Sequence, residues 1–159
     1  MKQIKEDAMN KAIDESKANI TNNYKKGGPF GAAIVKDGKI IASAHNTVIE
    51  DKDATAHAEV NAIRKASKIL NTHDLSGCIL YTSTEPCPMC LSATIWANIK
   101  EIYYANTRKD ADGIGFRDDM IYDYLEGKSK SFLKMHHIES DDAKEVFEDF
   151  KELENKNLY

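Results

Sequence analysis

Apolar positions along the first third of the chain repeat at three- and four-residue spacing. Ala8, Met9, Ala12, Ile13, Ala18 and Ile20 predict one helix over residues 2–23, closed by the breaker run Gly27-Gly28-Pro29. The period then changes. FGAAIV at 30–35 and IIASA at 40–44 read as two strands of a hairpin, because Asp37-Gly38 between them supplies the positive φ of a tight turn. Thr55 or Asp53 is placed to cap a further helix reaching Leu70, with Val60, Ala62, Ile63, Ala66 and Ile69 on its buried side. CILYTS at 78–83 predicts a strand, Pro88 suits the first turn of a helix ending near Asn98, and EIYYA at 101–105 predicts another strand. From Asp110 a Gly- and Asp-rich loop leads to a short helix over Met120–Leu125, and residues 140–157 form a last helix with Val146, Phe147, Phe150 and Leu153 on one face. Strands alternating with helices predict an α/β domain with helices on both faces of one sheet.

Length and charge narrow this picture. The 159 residues fit one domain, here taken as 1–159. A net charge of −4 supplies no cationic footprint for a phosphate backbone, so a small, weakly charged substrate is expected and nucleic acid is not. No apolar run is long enough for a signal peptide or a membrane span, which predicts a cytoplasmic protein without membrane attachment.

The chemistry gathers around the cysteines. Of three, Cys87 and Cys90 stand in PCPMC, and a C-x-x-C in a cytosolic chain is more often a metal or redox pair than a disulfide, whereas Cys78 reads as a bystander. With Cys87 at the cap and Pro88 opening the helix, both sulfurs fall near its first turn, where free N–H groups and the helix dipole favour thiolates. His57 offers a nitrogen, completing a one-His, two-Cys set that suits zinc and leaves a fourth position for water. Glu59, two residues on, need not join the ligands and can serve as an acid and base beside that water.

His57-Ala58-Glu59 followed by PCPMC at 86–90 resembles the zinc nucleoside and nucleobase deaminase superfamily. Within it the chain is similar to the bacterial guanine deaminase family almost end to end, through GGPFGAAIVKDGKIIA, TAHAEVNAIRKA, CILYTSTEPCPMC, GFRDDMIY and the terminal Tyr159. The resemblance implies a three-layer α/β/α, cytidine deaminase-like fold with a five-stranded mixed sheet. It implies one zinc per subunit with a catalytic water, held by His57, Cys87 and Cys90, and hydrolysis of guanine to xanthine and ammonia in purine metabolism, with Glu59 moving protons. Asn46 matches the asparagine that binds substrate, and its amide, with donors and an acceptor, can read a purine edge bidentately. The Ala58 N–H adds a donor; Asp118, with Asp119 the alternative, and Tyr159 match positions of recognition and closure. Phe30 and Trp96 are candidate aromatic walls for the base. The family also implies a homodimer in which residues from about 140 to 159 swap between subunits.

Three alternatives share the zinc core: a deaminase of cytosine or an amino-triazine, a tRNA adenosine deaminase, and a binding module whose zinc is structural. The acidic balance argues against RNA, and Glu59 argues against a purely structural metal.

Overall fold

In the computed structural model, which describes residues 2–129 and 133–159, the chain divides into two compact units, Met1–Tyr122 and Asp123–Tyr159. The first unit is built on a mixed sheet of β1 (Gly31–Lys36), β2 (Lys39–His45), β3 (Cys78–Thr84) and β4 (Ile102–Asn106), in the order β2-β1-β3-β4. β1 pairs antiparallel with β2 and β3, and β3 pairs parallel with β4. The hairpin turn falls where the sequence places it, with Asp37 and Gly38 both at positive φ, +49° and +73°.

Alternation along the central strands divides the interior in two. Ala32 and Ile34 of β1 and Leu80 of β3 face one core; Ala33, Val35 and Tyr81 face the other. β1 is buried on both sides, which is why it reads as an unbroken apolar run. Helix α1 (Lys2–Ser16) covers one face with Ala8 and Ala12, both fully buried, and sits so close that a Cβ on Gly31 would lie 2.1 Å from the Ala12 carbonyl oxygen. Helix α3 (Ala58–Leu70) covers the other face with Ala58, Ala62 and Ala66, and packs beside α4 (Pro88–Trp96). Small residues on both helices bring backbone close to the sheet.

Several expectations are corrected. The sheet has four strands among the described residues, not five. Residues 133–139 take no regular secondary structure and are exposed. The first helix stops at Ser16, where the N–H groups of Lys17 and Ala18 turn to the carbonyls three residues back, and a 3-10 turn over Ile20–Asn22 follows, ended by left-handed backbone at Asn23 and Tyr24, φ +54° and +57°. Neither Thr55 nor Asp53 caps α3. Asp53 Oδ1 instead accepts the Thr55 N–H at 2.8 Å in a local turn, and His57 takes the cap position. A single-turn helix α2 (Val48–Asp51) occupies part of the connection after β2.

The Gly- and Asp-rich loop contains α5 (Arg108–Gly113), begun by a capping box between Thr107 and Asp110. It is followed by α6 (Asp118–Leu125), within which the boundary between the two units falls. The second unit also holds α7 (Asp141–Glu152), capped by Ser140, whose hydroxyl accepts the Ala143 N–H; Val146, Phe147 and Phe150 are exposed. No helix among the described residues is long and apolar enough to cross a membrane.

Candidate active site

Two helix starts meet at the site. Cys87 is the N-cap of α4, Pro88 follows at the first helical position, and the Cys90 N–H donates to Cys87 Sγ at 3.5 Å. His57 is the N-cap of α3, and its side chain makes no capping bond, which leaves the ring for other work. His57 Nδ1 lies 3.6 Å from Cys87 Sγ and 3.5 Å from Cys90 Sγ. Zinc bonds of about 2.0–2.1 Å to nitrogen and about 2.3 Å to sulfur at the tetrahedral angle require an N···S separation of about 3.6 Å. Both nitrogen–sulfur separations therefore suit a zinc ion, the three ligand atoms all lie within 4.8 Å of one another, and among the described residues they form the only cluster of that kind.

Charge at the cluster favours the same use. Cys87 is held low, at about 4, chiefly by the hydrogen bond from the Cys90 thiol and by His57 beside it, while burial acts against this. Cys90 is pushed up, first by Cys87 and then by burial, so one proton stays with the pair on Cys90. The bond to Cys87 raises His57. Metal binding displaces the protons that remain.

Glu59 is 6% exposed at the end of the cluster, with Oε1 3.1 Å from Thr82 Oγ1 and Oε2 3.4 Å from Cys90 Sγ. Desolvation raises its carboxyl above the usual carboxylate range, which favours holding a proton. A cavity of about 530 Å³ opens beside His57, Glu59 and Cys87, with Phe30, Asn46, Phe116 and Asp118 also on its walls. Phe30 and Phe116 meet edge to face, ring centroids 4.7 Å apart.

Asn46 needs a correction. Its Oδ1 accepts the backbone N–H groups of Gly28 at 3.2 Å and Val48 at 3.1 Å, so the acceptor is consumed inside the fold and only the Nδ2 donors remain for a ligand. Bidentate reading of a base edge is thereby removed. The pairing at GFRDDMIY separates cleanly: Asp118 lines the cavity and burial raises its carboxyl, whereas Asp119 binds Arg108 Nε at 3.1 Å. Trp96 is 64% exposed on α4 and lies outside the cavity lining, so it is not a wall of this pocket. Ala58 is the first residue of α3, where the N–H stands outside the intrahelical ladder. Tyr159 belongs to the second unit and is 83% exposed.

Residues missed from the sequence are Phe116, Gly27 and Thr82. Gly27-Gly28-Pro29 reads as a helix breaker, yet a Cβ on Gly27 would stand 2.2 Å from the Asn46 carbonyl oxygen, so that glycine lets the loop close on Asn46. Cys78 is buried at the start of β3, where desolvation raises its thiol and it packs as a small apolar residue.

Comparison with known proteins places these features. Residues 2–106 match the family described as the cytidine and deoxycytidylate deaminase zinc-binding region. A guanine deaminase of Bacillus subtilis (strain 168) is 46% identical over 134 residues, 84% of this chain and 86% of that protein. A tRNA-specific adenosine deaminase of Aquifex aeolicus (strain VF5) is 38% identical over 129 residues, 80% of this chain and 83% of that one. The X-ray structure of guanine deaminase from Bacillus subtilis superposes with a TM-score of 0.89 at 41% identity, covering 97% of this chain and 98% of that chain.

Proposed function

Because the chain belongs to the cytidine and deoxycytidylate deaminase zinc-binding family, we propose that it is a zinc-dependent guanine deaminase, converting guanine and water to xanthine and ammonia. The observation that carries the reading is the buried Glu59 beside a three-ligand zinc set at a cavity of about 530 Å³. The guanine assignment is supported by likeness to the Bacillus subtilis enzyme over nearly the whole chain, rather than over the zinc core alone.

Zinc bound to His57, Cys87 and Cys90 supplies a Lewis acid that lowers the pKa of a water towards about 7. Glu59 takes the first proton that the attacking water gives up and passes it to a ring nitrogen, then takes the second from the hydroxyl left on the ring carbon and hands it to the departing amine. Burial raises its carboxyl, which favours the protonated form. The nucleobase is held edge-on by polar groups of the wall: Asn46 Nδ2 donates to a substrate acceptor, the Ala58 N–H donates as well, and Asp118 accepts an N–H of the base. Phe30 and Phe116 cover its apolar faces.

Single-domain action over 1–159 and homodimerisation belong to the same proposal, with the segment from about 140 to Tyr159 serving the neighbouring subunit's site. It is supported by the apolar side chains that this segment exposes: Phe147 is 78% exposed and Leu158 79%. The protein is assigned to the cytoplasm, with no membrane or nucleic acid partner, in keeping with its acidic balance.

The test is ammonia release by zinc-loaded protein from guanine, guanosine, adenine, cytosine, cytidine, an amino-triazine and an adenosine-bearing RNA hairpin. Release from guanine above the other amines is the expected result. Preference for the RNA or another amine overturns the substrate, and silence on all of them overturns the enzyme.

A further inference from the structure

Thr82 stands on β3, 1% exposed, with no part in the ligand set and no place on the cavity wall. Its hydroxyl faces three acceptors: Glu59 Oε1 at 3.1 Å, the Thr84 carbonyl at 3.1 Å and the Gly31 carbonyl at 3.4 Å. One hydroxyl has one hydrogen, so the cluster holds more acceptors than donors. From this geometry we infer that Thr82 is a positioning residue for Glu59, its hydroxyl donating to Oε1 and holding that oxygen in place.

A carboxylate can only accept, so the Thr82 O–H turns to Oε1 at 3.1 Å and fixes that end of Glu59, while Oε2 lies towards the ligand cluster, 3.4 Å from Cys90 Sγ. With Oε1 held by a buried hydroxyl, the carboxylate stays aimed without a water to hold it. Thr82 itself is fixed by the strands on both sides of β3: it pairs with Ala32 in the antiparallel ladder and with Tyr104 in the parallel one. Neighbouring Ser83 performs a different task, its Oγ accepting the Gly31 N–H at 3.1 Å. The hydroxyls of this strand are therefore not interchangeable.

The inference rests on the deaminase reading, and its test separates the two. Thr82→Val replaces the hydroxyl by a methyl of similar size, Thr82→Ala removes it without adding carbon, and Thr82→Ser restores it. Each variant is assayed for zinc content, thermal midpoint, KM and kcat, on whichever amine the parent turns over best. Both hydroxyl-free variants are expected to keep one zinc and a KM within twofold, while kcat falls about 10- to 100-fold; Thr82→Ser is expected to stay within about threefold of the parent kcat. A kcat near the parent's in Thr82→Val, loss of zinc in step with activity, or a Thr82→Ser variant as slow as Thr82→Ala overturns the positioning role. Failure of the parent on every amine overturns the deaminase reading instead.

Discussion

Asn46→Asp isolates recognition from folding at one side chain. In the native fold Oδ1 accepts from the Gly28 and Val48 N–H groups at 3.2 and 3.1 Å, and aspartate retains an oxygen for both. What it loses is the Nδ2 donor on the cavity side. It also adds an acidic group to a cavity that already holds Glu59 and Asp118. A substrate oxygen left facing an acceptor costs about 1.4–2.8 kcal/mol, or about 10- to 100-fold in kcat/KM. Asn46→Ala provides the contrast. It strands two N–H groups at about 1–3 kcal/mol each, which lowers the thermal midpoint by about 5–20 °C for a chain of this length. Steady-state kinetics on guanine and thermal melts of both variants are the assays. An Asn46→Asp enzyme within threefold of the parent kcat/KM, or one that melts as early as Asn46→Ala, refutes the division of labour between the two ends of this amide.

Two further outcomes follow from the packing and charge. Gly27→Ala pushes a Cβ to 2.2 Å from the Asn46 carbonyl oxygen, so the loop must shift; the expected result is a kcat/KM loss of about tenfold or more with zinc retained, and unchanged kinetics would contradict the close approach. Glu15 is partly buried, and although burial opposes ionisation, hydrogen bonds from Ser43 at 2.6 Å and His45 at 3.1 Å hold its carboxyl below 4.5. A lowered folded-state pKa contributes stability that is present above the unfolded value and lost as pH falls through the folded one. Urea unfolding from pH 6 to pH 3 should accordingly show a steeper acid loss in the parent than in Glu15→Gln, and parallel curves would remove Glu15 from the account.

What the sequence revealed was local. HAE and PCPMC each place their functional side chains within one helical turn, so spacing alone brings the ligands together at helix starts. The hairpin was equally readable, since Asp37-Gly38 carries its backbone requirement in the residues themselves. Tertiary choices were not. α2 is a single turn held by the Asp51 N–H on the Thr47 carbonyl and by the Thr47 hydroxyl on Asp51, too short to show a period. The use of Asn46 Oδ1 depends on Gly28, eighteen residues away, and only the folded loop reveals that the acceptor is consumed. Trp96 sits in an apolar helix where pattern cannot tell an inward ring from an exposed one. The five-stranded sheet came from family likeness, and four strands form the sheet among the described residues.

The most direct measurement is guanine-dependent ammonia release by Glu59→Gln beside the parent, with zinc quantified in both. The substitution preserves size in a side chain 6% exposed and removes the group assigned to carry protons. Equal zinc and a loss of turnover of about 10²-fold or more are expected in the variant. Parent-like ammonia release from zinc-loaded Glu59→Gln would contradict that role.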